Sequence, residues 1–183
     1  MKIVEGLKGL RVLQKRIEDN AAEITKYSSV LSTEKPAFGT EDEQRKQVKQ
    51  RIQANEDLAI EYLKLKARIE YTNLVTMIEL SGKKYSLNDL LVIKRTLGKL
   101  MQNTYTALTQ NTAQLRLSRV GVSAIDGKPI EALMMYNEVD KINGIRKWQE
   151  LSDKIDSRLE VLNASLDLIE FTPEQIVNNV STT

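Results

Sequence analysis

The sequence predicts a mainly-α protein, a long-helix bundle of about four helices with a small β-hairpin insertion, in one domain over 1–183. Three observations predict it. The run from Glu41 to Leu80 holds forty residues with neither Gly nor Pro. Apolar residues near both ends of the chain recur in alternate steps of four and three, the spacing of a seam between packed helices. A short stretch after residue 114 alternates apolar and polar side chains instead, which is the period of a strand.

The first helix reads from about 2 to 31, with Ile3, Leu7, Leu10, Gln14, Ile17, Ala21, Ile24, Ser28 and Leu31 on its seam. Gln14 and Ser28 interrupt that seam and set its register or line a wet part of the bundle. A loop follows through Pro36, Phe38 and Gly39, and Thr40 ahead of Glu41, Asp42 and Glu43 marks an N-cap with acids in the first turn, where the helix dipole favours them. The second helix reads 41–80, with a stripe through Val48, Ile52, Leu58, Tyr62, Leu65 and Ile69. Its other faces interleave seven acids and seven bases between Glu41 and Glu70, as a solvated surface does. At ~1.5 Å per residue it approaches 60 Å, more than one small bundle needs, so it bends or packs in part against another subunit.

Ser81-Gly82 makes a turn, and Ser86 with Asp89 three positions later opens a third helix over 86–111 with a stripe through Leu90, Ile93, Leu97, Leu100, Thr104 and Leu108. The β element is placed near 114–130. Gln114-Leu115-Arg116-Leu117-Ser118-Arg119-Val120 supplies the alternation, and Asp126-Gly127 the hairpin turn. The last long helix spans about 137–170, with Ile145, Trp148, Ser152, Ile155, Leu159, Leu162, Leu166 and Ile169 on its seam. Thr172-Pro173 starts a short terminal helix near 173–180.

Composition removes whole classes of chemistry. The 183 residues are 41% hydrophobic and 28% charged, ordinary for a globular chain, but include no His and no Cys. Without them there is no disulfide framework, no thiolate or imidazole metal site, and no Ser-His or Cys-His nucleophile. Carboxylate-bound Mg²⁺ or Ca²⁺ chemistry stays open, although no Asp-rich loop is written. No cofactor is expected, and the reading is non-enzymatic. No apolar stretch reaches membrane-span length and the start Met1-Lys2-Ile3-Val4-Glu5 makes no signal-peptide core, so a cytoplasmic or virion setting is expected, without a membrane partner. Balanced charge in the long helices, only nine aromatic residues and no recognition motif disfavour nucleic acid.

The +2 net charge is unevenly placed. Lys83 to Lys128 holds eight bases against two acids, while Pro129 to the end holds five against ten. These segments either face each other, within one subunit or between subunits, or the basic one receives a phosphate-bearing ligand or nucleic acid. The candidate ligand-binding residues are Arg116, Ser118, Arg119 and Asn73. On a strand Arg116 and Ser118 share a face; with a bulge near Gly121, both guanidinium groups converge on a small anionic or nucleotide-like ligand, and otherwise they pair with acids of the last helix. Asn73, beside Thr72 where the apolar stripe of the second helix should continue, fixes helix register or hydrogen-bonds a ligand.

Several of these segments resemble a family of bacterial and phage proteins labelled septicolysin-like. The resemblance lies in the Met1-Lys2 start with Leu13-Gln14-Lys15-Arg16-Ile17, in Arg68-Ile69-Glu70-Tyr71-Thr72-Asn73, in Gln114-Leu115-Arg116-Leu117-Ser118-Arg119, and in Glu150-Leu151-Ser152-Asp153-Lys154-Ile155-Asp156-Ser157-Arg158-Leu159 followed by Leu162-Asn163. Where the family has Ile-Asn-x-Thr-Asn this chain has Ile69-Glu70-Tyr71-Thr72-Asn73, which keeps the Thr-Asn and loses the first Asn, and Leu166-Asp167-Leu168-Ile169 stands where the family carries a Trp. The resemblance implies an oligomeric helical bundle with a small β element. The label suggests a haemolysin, but the chain has no apolar insertion segment. The leading expectation is a homo-oligomeric assembly or interaction protein of phage origin, possible as a virion structural component alongside other virion proteins; the alternative is a protein that sequesters a small anionic ligand.

Overall fold

The computed structural model describes residues 1–120, 124–125 and 128–170, and it is mainly helical with a small antiparallel β-hairpin. The expected terminal helix at 173–180 lies outside the described residues. The chain gathers into two compact units, one of Met1–Leu87 with the residues from Val161 onward, the other Asn88–Glu160.

The first unit is built on an antiparallel pair, α1 (Ile3–Tyr27) and α2 (Glu41–Val75). Gly6 meets Ile69, Gly9 meets Leu65, Asn20 bonds Asn55 and Glu23 pairs with Arg51, so residue numbers fall on α2 as they rise on α1. Half of the α1 seam is as expected: Ile3, Leu10, Ile17 and Ile24 are buried or half-buried. The other half is displaced by one residue. Gly6, Leu13, Asn20 and Tyr27 face α2, whereas Leu7, Gln14, Ala21, Ser28 and Leu31 are exposed. Gly6 explains much of this: a Cβ there would lie 2.8 Å from Leu168 Cδ1 and 3.3 Å from Ile69 Cδ1, so only glycine lets these elements approach so closely. Gln14 donates to Glu18 at 2.9 Å on the helix surface and sets no register.

Both ends of the pair depart from expectation. α1 stops at Tyr27 instead of residue 31, where the Ser28 hydroxyl donates to the Thr25 carbonyl at 3.1 Å and competes with the helix ladder. α2 starts as expected, the Thr40 hydroxyl accepting the Glu43 amide at 3.2 Å. It ends at Val75, five residues short of the expected end, because Thr76 turns extended and Met77–Leu80 (β1) pairs with Lys83–Ser86 (β2). The two-residue turn needs positive φ at both centres, and Ser81 (53°) and Gly82 (75°) supply it. The hairpin of the first unit is therefore at 77–86, in a stretch assigned to helix from its lack of breakers.

The second unit begins with the rest of α3 (Leu87–Val92), followed by a π-helical turn (Ile93–Leu97) and α4 (Gly98–Thr106). The Gly98 amide donates to the Ile93 carbonyl, five residues back. That extra residue moves the inward stripe by one position. Leu90 and Ile93 face inward as expected, but beyond the turn the inward residues are Gly98, Met101 and Tyr105, while Leu97, Leu100 and Thr104 are exposed. The stripe rejoins its expected course at Leu108, in the break between helices.

α5 (Asn111–Val120) replaces the expected strand over residues 114–120, and the rest of that stretch, 121–122, lies outside the described residues. Its Gln, Leu and Arg residues are good helix formers, and the alternation arose because Leu115 stays exposed while Ala113 and Leu117, four apart, are half-buried. The second hairpin is small. Ala124–Ile125 (β3) pairs with Lys128–Pro129 (β4), and the expected turn Asp126-Gly127 lies outside the described residues.

α6 (Glu138–Ser165) supplies residues to both units. Its expected seam is observed from Ile145 to Leu162, with Ile155, Leu159 and Leu162 buried. In the second unit it runs antiparallel to α4: Lys94 pairs with Asp156, Gln102 bonds Gln149 at 3.2 Å, and the Tyr105 ring rests on Gly144. The helix ends at Ser165, not near residue 170, because the next residues turn extended and bond elsewhere in the first unit. The Ile3 amide donates to the Leu166 carbonyl at 3.0 Å and the Leu168 amide to the Met1 carbonyl at 2.8 Å. Extended chain alternates its sides, so Leu166 and Leu168 turn inward and Ile169, expected on the seam, is exposed.

Candidate assembly surface

The expected ligand residues are divided between the two units. Arg116, Ser118 and Arg119 lie on α5, all exposed. A helix reverses the face assignment of a strand: Arg116 and Arg119, three apart, share a face, and Ser118 turns away with its hydroxyl donating to the Leu115 carbonyl at 2.9 Å. Neither arginine joins an ion pair among the described residues, so the expected pairing with the acidic last helix is not observed there. Asn73, in the other unit, is only half-buried.

The buried polar group is its neighbour. Thr72 is 0% exposed, and its hydroxyl donates to the Arg68 carbonyl at 2.8 Å while accepting the Ile169 amide at 2.9 Å. One residue rotates a helix by about 100°, which is the difference between Asn73 at the margin and Thr72 in the core. Thr72 ties residues 97 apart in sequence, and Arg68 reinforces the tie by pairing with Glu170 at 2.6 Å.

Beside it, Lys2 bridges to Asp167 at 2.6 Å and donates to the Ser165 carbonyl at 2.8 Å. The Lys2 ammonium holds the Asp167 carboxyl below its ordinary value, against a smaller opposing effect of burial. A carboxylate with a depressed folded pKa stabilises the fold above the unfolded pKa, near pH 4, and loses that contribution as pH falls through the folded value. By NMR titration Asp167 is expected to ionise below the normal aspartate range, and Lys2→Met to move it upward. A normal value in the unaltered chain would refute the pair.

At the loop end of the α1–α2 pair the seam is polar and aromatic. Asn20 Nδ2 donates to Asn55 Oδ1 at 2.9 Å, and Asn55 Nδ2 to the Ile17 carbonyl at 3.2 Å. Arg51 reaches Glu23 at 3.0 Å and lies 5.8 Å from both the Tyr27 and Phe38 ring centres. Those rings meet edge to face at 4.9 Å, which gives the loop's single Phe a structural role. The Tyr27 hydroxyl holds the neighbouring Lys26 above its ordinary value. Buried Gln44 closes the loop, donating to the Tyr27 carbonyl at 2.9 Å and accepting the Ala37 amide at 2.8 Å.

Two helices cover only one side of each other, and α2 has a second apolar stripe opposite its seam. Ile52 (45% exposed), Ile60 (53%), Leu63 (68%) and Leu74 (61%) fall within an arc of about 80° at 3.6 residues per turn. Single exposed apolar residues are ordinary, but a stripe of them over ~33 Å of helix is a candidate interaction surface. The expected stripe had put Ile52 on the inner seam, where Arg51 and Asn55 stand instead. The signal was present in the sequence as the apolar residues of 41–75 left over once one heptad seam is drawn.

Among the described residues no cluster of three acidic side chains is placed to hold a metal ion, and no helix is long and apolar enough to cross a membrane. No family model, curated protein or solved structure matches the chain.

Proposed function

We propose that this is a non-enzymatic helical protein that works by assembly, as a homo-oligomer whose subunits join along the α1–α2 pair. The observation that carries the reading is the outward stripe of α2 through Ile52, Ile60, Leu63 and Leu74, apolar and exposed on a helix whose other face is already used by α1. Leaving four such side chains in water forgoes roughly 1.5–3 kcal/mol for each that could be fully buried, a driving force for association. The π turn adds to the surplus by turning Leu97 and Leu100 outward. The lack of any His or Cys supports a role without catalysis, and the resemblance to phage proteins supports a virion component as the setting.

A second reading, sequestration of a small anion, draws on Arg116 and Arg119 sharing one exposed face of α5 without partners among the described residues. One experiment separates the two. Native mass spectrometry of the full chain is expected to show a discrete oligomer without a bound small molecule. A monomer carrying a stoichiometric anionic adduct, lost on Arg119→Ala, would replace the first reading with the second.

A further inference from the structure

We infer that two copies of this chain pair through the outward faces of their α2 helices, antiparallel, with Glu56 of each copy against Lys66 of the other. The inference rests on the assembly reading and names its interface. Two of the exposed apolar residues, Ile52 and Leu63, lie on a four-and-three repeat of the outward face through 52, 56, 59, 63, 66 and 70, whose other positions are Ala59 and the charged Glu56, Lys66 and Glu70, while Ile60 and Leu74 lie outside it. In an antiparallel pair, positions facing each other have numbers of constant sum. When Leu63 packs on the small Ala59 of the second copy, that sum places Glu56 opposite Lys66 and Ile52 opposite the stem of Glu70.

A two-fold axis then repeats each contact, as an isologous interface requires. Lys66 is already turned along this face, bonded to Glu70 at 3.1 Å within its own helix. The competing arrangements are worse in charge. A parallel pair sets Glu56 against Glu56, Lys66 against Lys66 and Glu70 against Glu70. The neighbouring antiparallel register, with Leu63 against Ala67, leaves Glu56 facing Leu74 and Glu70 facing Ile60, each carboxylate without a cation across the seam. Of these three arrangements charge favours the antiparallel one with Leu63 on Ala59, and it favours a copy of this chain as the occupant because the matching cation lies on the same helix.

The test is a charge swap read by sedimentation equilibrium on the full chain. Glu56 and Lys66 contact solvent on the helix surface, so circular dichroism is expected to be unchanged in every variant. Glu56→Lys alone and Lys66→Glu alone each place two like-charged pairs in the interface and are expected to weaken association by about tenfold or more. The double variant restores two opposite-charge pairs and is expected to return to within a few-fold of the unaltered chain. If the protein oligomerises but no variant changes its affinity, or if the double variant is as weak as the singles, this interface is overturned while assembly stands. A chain that stays monomeric at all concentrations removes both.

Discussion

Gly144→Val is expected to destabilise the protein by about 3 kcal/mol, near the upper end of what overpacking costs. Three ring atoms of Tyr105 occupy the space that any Cβ at this position needs, two of them at 2.5 and 2.6 Å. Intrinsic preference acts the other way, since glycine inside a helix costs up to about 1 kcal/mol relative to better formers. Sterics are expected to win because α4 and the π turn before it are held against α6 by Gln102–Gln149 and Lys94–Asp156. Urea unfolding would show the loss as a lower midpoint. Repeating the substitution in a Tyr105→Ala background separates the ring from other causes, because removing the ring should recover most of the cost. An equal loss in both backgrounds would mean that the ring is not the obstacle.

The same contact shows what the sequence made legible. Apolar residues at heptad spacing gave the inward face of α6 from Ile145 to Leu162 and the positions Ile3, Leu10, Ile17 and Ile24 of α1. The alternate α1 positions differ from the expected ones because three of their four occupants are a glycine, an asparagine and a tyrosine, beside more conspicuous neighbours such as Leu7 and Ala21. A seam narrowed by Gly6 and bridged by Asn20–Asn55 carries no continuous apolar signal. The π turn was illegible for a related reason: one extra residue per turn is decided by packing, and the stripe through Leu97 and Leu100 assumes an unbroken α-helix. The end of α2 was legible in principle, since Val75-Thr76-Met77-Ile78 is rich in β-branched residues and Ser81-Gly82 suits a tight hairpin. Absence of Gly and Pro was given more weight than it bears. For the candidate site, the expectation that part of α2 meets another subunit drew on helix length alone; the stripe through Ile60, Leu63 and Leu74 gives that expectation a face.

Thr72→Val is expected to cost about 2 kcal/mol, although it preserves shape and adds apolar surface at a fully buried position. The hydroxyl is both donor and acceptor there, and valine leaves the Ile169 amide without its partner. An unmade buried hydrogen bond costs about 1–3 kcal/mol; the lower part of that range is excluded if the Arg68–Glu170 pair and the Lys2–Asp167 bridge loosen with it, since all three hold the same five residues after α6. Thr72→Ser keeps both bonds and loses only a methyl group, so it should cost about 1 kcal/mol. Hydrogen exchange supplies the local readout. The Ile169 and Leu168 amides should exchange faster in Thr72→Val and stay protected in Thr72→Ser, while the Asn20–Asn55 end of the helix pair is unaffected. The reverse pattern, faster exchange in Thr72→Ser and protection in Thr72→Val, would mean that burial of the methyl group, and not the hydroxyl, holds the chain after Ser165 against α2.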